Sequence, residues 1–429
     1  MKQRYLNTFL LLFRCSFSFL QFKSMKQRYL MEKMKFVLVG CGRIATLHVA
    51  GYRNREDAEL WGVYDKNPQA AKRFAAEHGI PKVYDSYEAV LADPEVTGVE
   101  LLVPHHLHCE LTVAACRAKK HVSVQKPMAL NLAECDEMIA AAKENGVVLK
   151  VFENFVHYPP YLLLKKLIEQ GEIGEIRGVR YKMCNASLYS DNIPGADARA
   201  KHTDALKDDC PHTGWKVDPS SWLWRLNGSL CGGGPVVFDD GYHKFSLFLD
   251  LVGGVEKVCA WIDETPALPG IMQDVPAVIM WKYADKKVYG VWDVTAAPDL
   301  YVKGKYYTCD ERMEVTGTRG VLWLTRCTAE MLDTVAPVVL YRDGKLTEYW
   351  DVPSDWQDAF IHSTQDFIES IRDGREPVLS GERGREVLAF ALAAMASSEQ
   401  KKEIYLTELS DRKKQKRRGF LSIFGKKQG

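Results

Sequence analysis

The chain has 429 residues, 46% of them hydrophobic and 26% charged, with a formal net charge of +1 at neutral pH. That length suits two globular domains, and so small a charge gives no global basis for binding nucleic acid or any other acidic polymer. Its eleven cysteines include no Cys-x-x-Cys pair and no metal-finger spacing, which argues against a disulfide or zinc framework and fits reduced thiols in the cytoplasm.

Residues 1–33 read as an extension with no role in the fold. The hexapeptide Met1-Lys2-Gln3-Arg4-Tyr5-Leu6 recurs as Met25-Lys26-Gln27-Arg28-Tyr29-Leu30. No run approaches the roughly 20 apolar residues that a membrane span requires. The first element is the strand-like run Lys35 to Val39, which ends in Gly40-Cys41-Gly42-Arg43-Ile44-Ala45. Two glycines let backbone N–H groups approach a pyrophosphate, and a small Ala45 permits close helix packing, so the segment reads as a dinucleotide cradle. A second apolar run, Leu60 to Tyr64, delivers Asp65 about 20 residues further on, where a carboxylate can hold both ribose hydroxyls. Asp65 favours NAD, while neighbouring Lys66 keeps NADP open.

Between residues 34 and 152 short apolar runs alternate with amphipathic stretches, the βαβ rhythm of a doubly wound parallel sheet. The predicted strands are Phe36–Val39, Leu60–Tyr64, Val99–Val103, His121–Gln125 and Val147–Phe152, with a helix over Leu132 to Lys143. Residues 153–380 have a different texture. A helix follows Pro159-Pro160, and longer alternating runs at Ile176–Met183, Val258–Ile262, Val278–Tyr283, Val288–Val294 and Val338–Arg342 predict an α+β domain built on a large, mostly antiparallel open sheet. One face of such a sheet is free for a second copy, which predicts a homo-oligomer.

Between Ala186 and Leu230 lies a long segment with little periodicity, the kind of loop that is usually functional. Its Trp215, Trp222 and Trp224 could stack on a sugar face or anchor the loop to the core. His202, Cys210 and His212, near Asp208 and Asp209, match no structural zinc spacing, so no metal is expected. Helical patterns at Gln357–Arg372 and Arg385–Glu403 close the fold, with residues 381–406 predicted to brace the first domain. The basic tail, residues 407–429, reads as a solvated extension rather than a membrane anchor.

Several segments in order resemble the glucose–fructose oxidoreductase / inositol dehydrogenase (Gfo/Idh/MocA) family. They are the glycine turn, Pro104-His105-His106-Leu107-His108, Val124-Gln125-Lys126-Pro127, and Gly232-Gly233-Gly234 followed by Asp239-Asp240-Gly241-Tyr242-His243. The resemblance implies that Lys126, Asp239 and His243 line a substrate site beside a nicotinamide. It also implies an NAD contact set of Gly40, Cys41, Gly42, Arg43, Ile44, Asp65, Lys66, Pro104, His105, His108, Gln125 and Lys126.

Independent chemistry agrees. Oxidising a secondary alcohol needs a base for the hydroxyl proton, for which His243 is suited, and a donor for the developing alkoxide, for which Lys126 is suited. Asp239 and His243, four apart, would share one helix face. Asn154, His157, Trp215 and Trp222 are expected to contact substrate. Gln125 departs from the family's glutamate and removes a charge beside Lys126, and His105 replaces a more usual asparagine. The expected activity is NAD-dependent oxidation of a sugar, cyclitol or glycoside to a ketone, with the aromatic loop pointing to the C3 hydroxyl of a glucoside. A glycosidase working by transient oxidation and a non-catalytic NAD(P)-sensing regulator are the competing readings.

Overall fold

Apolar runs flanked by capping residues build the first sheet. Strands β1 (Met34–Val39), β2 (Ala58–Tyr64), β3 (Lys82–Val83), β4 (Gly98–Leu101), β5 (His121–Gln125) and β6 (Leu149–Phe152) pair in parallel in the order 3-2-1-4-5-6. Most are buried on both faces, which is why they lack the alternation of a half-exposed strand. The intervening helices are α1 (Ala45–Ala50), α2 (Pro68–His78), α3 (Tyr87–Ala92), α4 (His108–Arg117) and α5 (Leu132–Asn145). Local chemistry sets their ends: Asn131 accepts from the N–H groups of Ala133 and Glu134 at the start of α5, and Gly146 ends it in the left-handed region.

The computed structural model describes residues 33–186, 223–268, 271–297, 300, 305–307, 309–328, 332 and 334–410. Trp215, Trp222, the His202–His212 group, residues 1–32 of the leader and residues 411–429 of the basic tail lie outside them. After α6 (Pro159–Glu169) the strands are β7 (Ile176–Ala186), β8 (Val255–Ile262), the small pair β9 (Thr265–Leu268) and β10 (Ile271–Gln273), then β11 (Ala277–Tyr283), β12 (Tyr289–Ala297), β13 (Cys309–Gly317), β14 (Gly320–Leu324), β15 (Val338–Arg342), β16 (Lys345–Tyr349) and β17 (Ile404–Tyr405). Nine of them form one open sheet, ordered 16-15-14-13-7-12-11-8-17, in which only β7 and β12 run parallel. β13 and β16 had no clear apolar run to announce them, and that of β14, residues 321–324, is short.

One face of this sheet packs on α7 (Gly241–Val252) and α9 (Gly381–Gln400), burying Phe245, Phe248, Trp281, Trp292 and Phe390 in one aromatic cluster. The other face exposes Trp261, Val278, Met280 and Tyr289. Helix α9 packs on β8 and β6, on α5 and on α7, and so ties the two sheets together, while α8 (Trp356–Asp373) packs on α1 and β6 of the first domain. No helix among the described residues is long and apolar enough to cross a membrane.

Candidate active site

Four segments leave the carboxyl ends of adjacent strands and meet in one crevice: the glycine turn after β1, residues 104–108 after β4, Lys126 after β5 and Glu153 after β6. Ligands of open α/β sheets bind at such strand ends. Gly40 has φ +105°, and a Cβ there would fall 2.3 Å from Leu102 O, so only glycine fits. A Cβ on Gly42 would meet nothing within 4 Å. That open cradle above backbone N–H groups fits a pyrophosphate.

Asp65 closes the turn: its Oδ2 accepts the Cys41 N–H at 2.8 Å and its Oδ1 accepts the Asn67 N–H at 2.8 Å. Burial and the neighbouring Asp65 charge push the Cys41 thiol up to about 12, so it stays a thiol. Ile44 precedes α1 and packs into the first core. The Arg43 guanidinium lies 4.6 Å from the centre of the Tyr307 ring, reaching from the cradle to the second domain. Lys66 is exposed.

Pro104 opens the turn that carries His105 and His108. His108 bridges two carbonyls, Nδ1 to Pro127 O at 2.9 Å and Nε2 to Val103 O at 3.0 Å, and so fixes the peptide after Lys126. Burial lowers it to about 4, leaving a neutral ring that donates to one carbonyl at a time. His105 donates from Nδ1 to Cys231 O at 2.8 Å and meets Trp224 edge-on at 4.7 Å; burial, opposed by Asp239, lowers it to about 3.

Gln125 enters a wholly buried chain. Its amide nitrogen lies 3.1 Å from His48 Nε2, His48 Nδ1 pairs with Glu100, and the Tyr52 hydroxyl donates to Glu100 at 2.5 Å. The amide nitrogen of Gln125 is a donor and so is matched to a ring whose Nδ1–H points at Glu100 and whose Nε2 accepts. The departure from glutamate places an amide, not a second carboxyl group, in a chain that already holds Glu100.

The glycine-rich segment 232–234 brings the second domain's residues in. A Cβ on Gly234 would fall 2.0 Å from the Asp274 carboxylate, whose oxygens accept the Val236 and Val237 N–H groups at 2.9 and 2.7 Å. They cap a π-helical turn, Pro235–Asp240, that runs directly into α7. Such turns recur at functional sites because they re-aim side chains. Here the turn buries the Asp239 carboxylate against two cations, Lys126 Nζ at 2.7 Å and Arg225 Nε at 2.9 Å. Lys126 also donates to Asp239 O at 2.9 Å. Burial alone would raise Asp239, yet Lys126, His105 and Arg225 hold it well below the usual carboxylate range.

One turn on, the His243 ring stacks on Phe155 at 4.2 Å, and its Nδ1 meets both oxygens of Glu153 at 2.7 and 2.8 Å. Its Nε2 makes no hydrogen bond among the described residues. Burial, Lys126 and Lys244 together depress the imidazole.

The structure therefore brings Lys126, Asp239 and His243 together, with Gln125, His105 and His108 behind them. Asn154 is buried beside Glu153, and its amide nitrogen has no partner among the described residues. His157 lies elsewhere, its Nε2 3.7 Å from Asp366 in the cluster around Lys150. Sequence reasoning missed Arg225 and the Glu153–His243 pairing. Arg225 sits in a segment without periodicity, and only its nearness to three tryptophans marked the region.

Two family profiles match: the oxidoreductase family, NAD-binding Rossmann fold, over residues 34–153, and its C-terminal alpha/beta domain over residues 209–406. The chain belongs to the Gfo/Idh/MocA oxidoreductase family. Its N-terminal domain is accordingly an NAD-binding domain. Among curated members, the myo-inositol 2-dehydrogenase of Thermotoga maritima is 25% identical over 382 residues, which is 88% of this chain and 99% of that one. The levoglucosan dehydrogenase of Pseudarthrobacter phenanthrenivorans is 30% identical over 213 residues, 48% of this chain and 47% of that one. A solved structure of levoglucosan dehydrogenase in complex with NADH and levoglucosan shares the fold with a TM-score of 0.69 at 20% identity, covering 87% of this chain and all of that one.

Proposed function

We propose that the protein oxidises a secondary hydroxyl of a sugar, cyclitol or glycoside to a ketone, as the names of its relatives suggest. The observation that carries this reading is the convergence of the Lys126–Asp239 pair and an unengaged His243 Nε2 at the strand ends beside the glycine cradle. NAD, when bound, supplies the acceptor for the hydride of the carbinol carbon. Lys126, oriented by two bonds to Asp239, has a third proton to give to the substrate oxygen and stabilises charge that develops there. His243 Nε2 takes the hydroxyl proton.

Asp239, balanced by Lys126 and Arg225, holds the ammonium in place and is ionised throughout. The finer reading is a glucoside oxidised at C3. Trp224, which is packed on His105 and on the Arg225 guanidinium at 4.5 Å, provides an aromatic wall at the pocket for a bulky aglycone. The exposed face with Trp261, Met280 and Tyr289 supports a homo-oligomer.

A panel of glucosides, free sugars, inositols and levoglucosan, offered with NAD and with NADP and followed by reduced-cofactor absorbance and product analysis, tests this. A keto product matching NADH is expected. Aglycone release without net NADH would replace the dehydrogenase by a glycosidase, preference for free inositol would remove the glucoside, and no turnover of any alcohol would remove the reading.

A further inference from the structure

The carboxyl end of β6 places a second buried carboxylate in the crevice. Glu153 is wholly excluded from solvent. Its Oε1 accepts the Phe155 N–H at 2.8 Å, and both oxygens lie within 2.8 Å of His243 Nδ1. The Phe155 ring lies flat on the imidazole, 18° from parallel, so the ring is held in plane as well as along one edge. We propose that Glu153 is a positioning residue: by accepting the Nδ1–H of His243 it fixes the tautomer whose Nε2 lone pair receives the proton of the alcohol.

This inference rests on the reading of His243 as the base. A neutral imidazole carries one N–H, and the bond made by one nitrogen decides what the other can do. A flipped ring would set carbon against the carboxylate. In the step itself the substrate O–H bond breaks as an Nε2–H bond forms, and the resulting imidazolium keeps its Nδ1–H on a carboxylate that balances its charge.

The surroundings set the pH at which this form exists. Glu153 is faced by Lys126 from the end of β5, by Lys244 and Tyr242 from α7, by Asp240 from the π turn and by its own Phe155 N–H. Lys244 is itself neutralised by Asp240 and Glu311 at 2.6 and 2.5 Å. Burial dominates, and Glu153 rises to about 8. Below that value the pair holds an extra proton, the carboxyl donates to Nδ1, and Nε2 bears hydrogen. Above it the carboxylate accepts from Nδ1 and Nε2 is open. The oxidation rate should therefore climb with pH and level off above about 8.

The test uses the full chain with NAD and the alcohol turned over fastest in the panel above. Glu153→Gln, which keeps shape but removes the charge, is expected to lower kcat about 10²–10⁴-fold with KM for NAD unchanged. It should also move the acid limb of the rate profile to lower pH. Glu153→Asp should recover more rate than the isosteric glutamine, the reverse of what a packing role predicts. Wild-type rate and an unmoved limb in Glu153→Gln would overturn the proposal.

A second measurement needs no variant at position 153. In spectra of ¹⁵N-histidine-labelled protein, the signal absent from His243→Asn should show a protonated Nδ1 and a bare Nε2 above about pH 8. An Nε2–H tautomer in that range would overturn the proposal equally. His243→Asn separates the two levels: retained turnover there discards the base itself, whereas loss there with a normal Glu153→Gln discards the positioning role alone.

Discussion

Asp239 and Glu153 are both buried carboxylates within reach of Lys126, and their surroundings drive them in opposite directions. Asp239 touches two cations, at 2.7 and 2.9 Å, and is held ionised far below its ordinary range. Glu153 touches a neutral ring and one peptide N–H, and burial lifts it to about 8. Burial is common to both, so contact partners decide the sign. The crevice thus holds a permanent ion pair that can orient a donor next to a pair that can exchange a proton near neutrality. Assigning acid–base roles by such divergence is a general device of active sites.

The largest expected effect comes from removing the cation both groups share. Lys126→Met should lower kcat about 10²–10³-fold, the cost of losing one preorganised donor, while NAD affinity measured by calorimetry stays unchanged. Equal loss of cofactor affinity would shift Lys126 from the reaction to the cofactor.

The next effect is on stability in acid. A depressed carboxylate contributes stability that is present above its unfolded value near 3.8 and is lost as pH falls below about 4. Urea unfolding of wild type should accordingly lose about 2 kcal/mol more than Asp239→Asn between pH 5 and pH 2.

Glu153 predicts the reverse slope. Its raised value means that the folded state binds a proton the unfolded chain has released, so stability declines as pH rises from about 4.5 through about 8. Glu153→Gln should therefore gain about 4 kcal/mol on wild type between pH 5 and pH 9. Parallel slopes for the two carboxylate variants would erase the contrast.

The smallest effect tests the chain that already holds Glu100. Gln125→Glu sets an acceptor against His48 Nε2 and should cost about 1 kcal/mol, read as a lower midpoint in urea, with recovery when Glu100→Gln is added.

The glycine turn, Asp65 and the five main strands of the first sheet were legible because each depends on neighbours within a few residues: an apolar run, a turn, a cap. The sheet strands β13 and β16 were not, since charged residues such as Glu311, Arg312, Glu314 and Glu348 interrupt their pattern and cross-strand partners support them instead, and in β14 the apolar run over residues 321–324 is short. The Asp239-x-Gly241-x-His243 motif marked both residues as site candidates. It did not reveal that a π-helical turn aims the aspartate, which depends on Asp274 capping from 35 residues away. His157 was expected at the substrate and packs instead toward Asp366, because the turn 155–157 sends it to α8.

By itself, the order of residues determined a Rossmann domain and a second sheet, because periodicity is a property of adjacent positions, and its resemblance to the family marked Lys126, Asp239 and His243 as candidates. Only the tertiary structure decided what each of them touches. Glu153 meets His243 across 90 residues, Arg225 meets Asp239 from an aperiodic segment, and Gln125 answers to Glu100 through His48. Those contacts depend on strand order and helix docking, which no local pattern encodes, and they set which group is charged, which is neutral and which nitrogen is free.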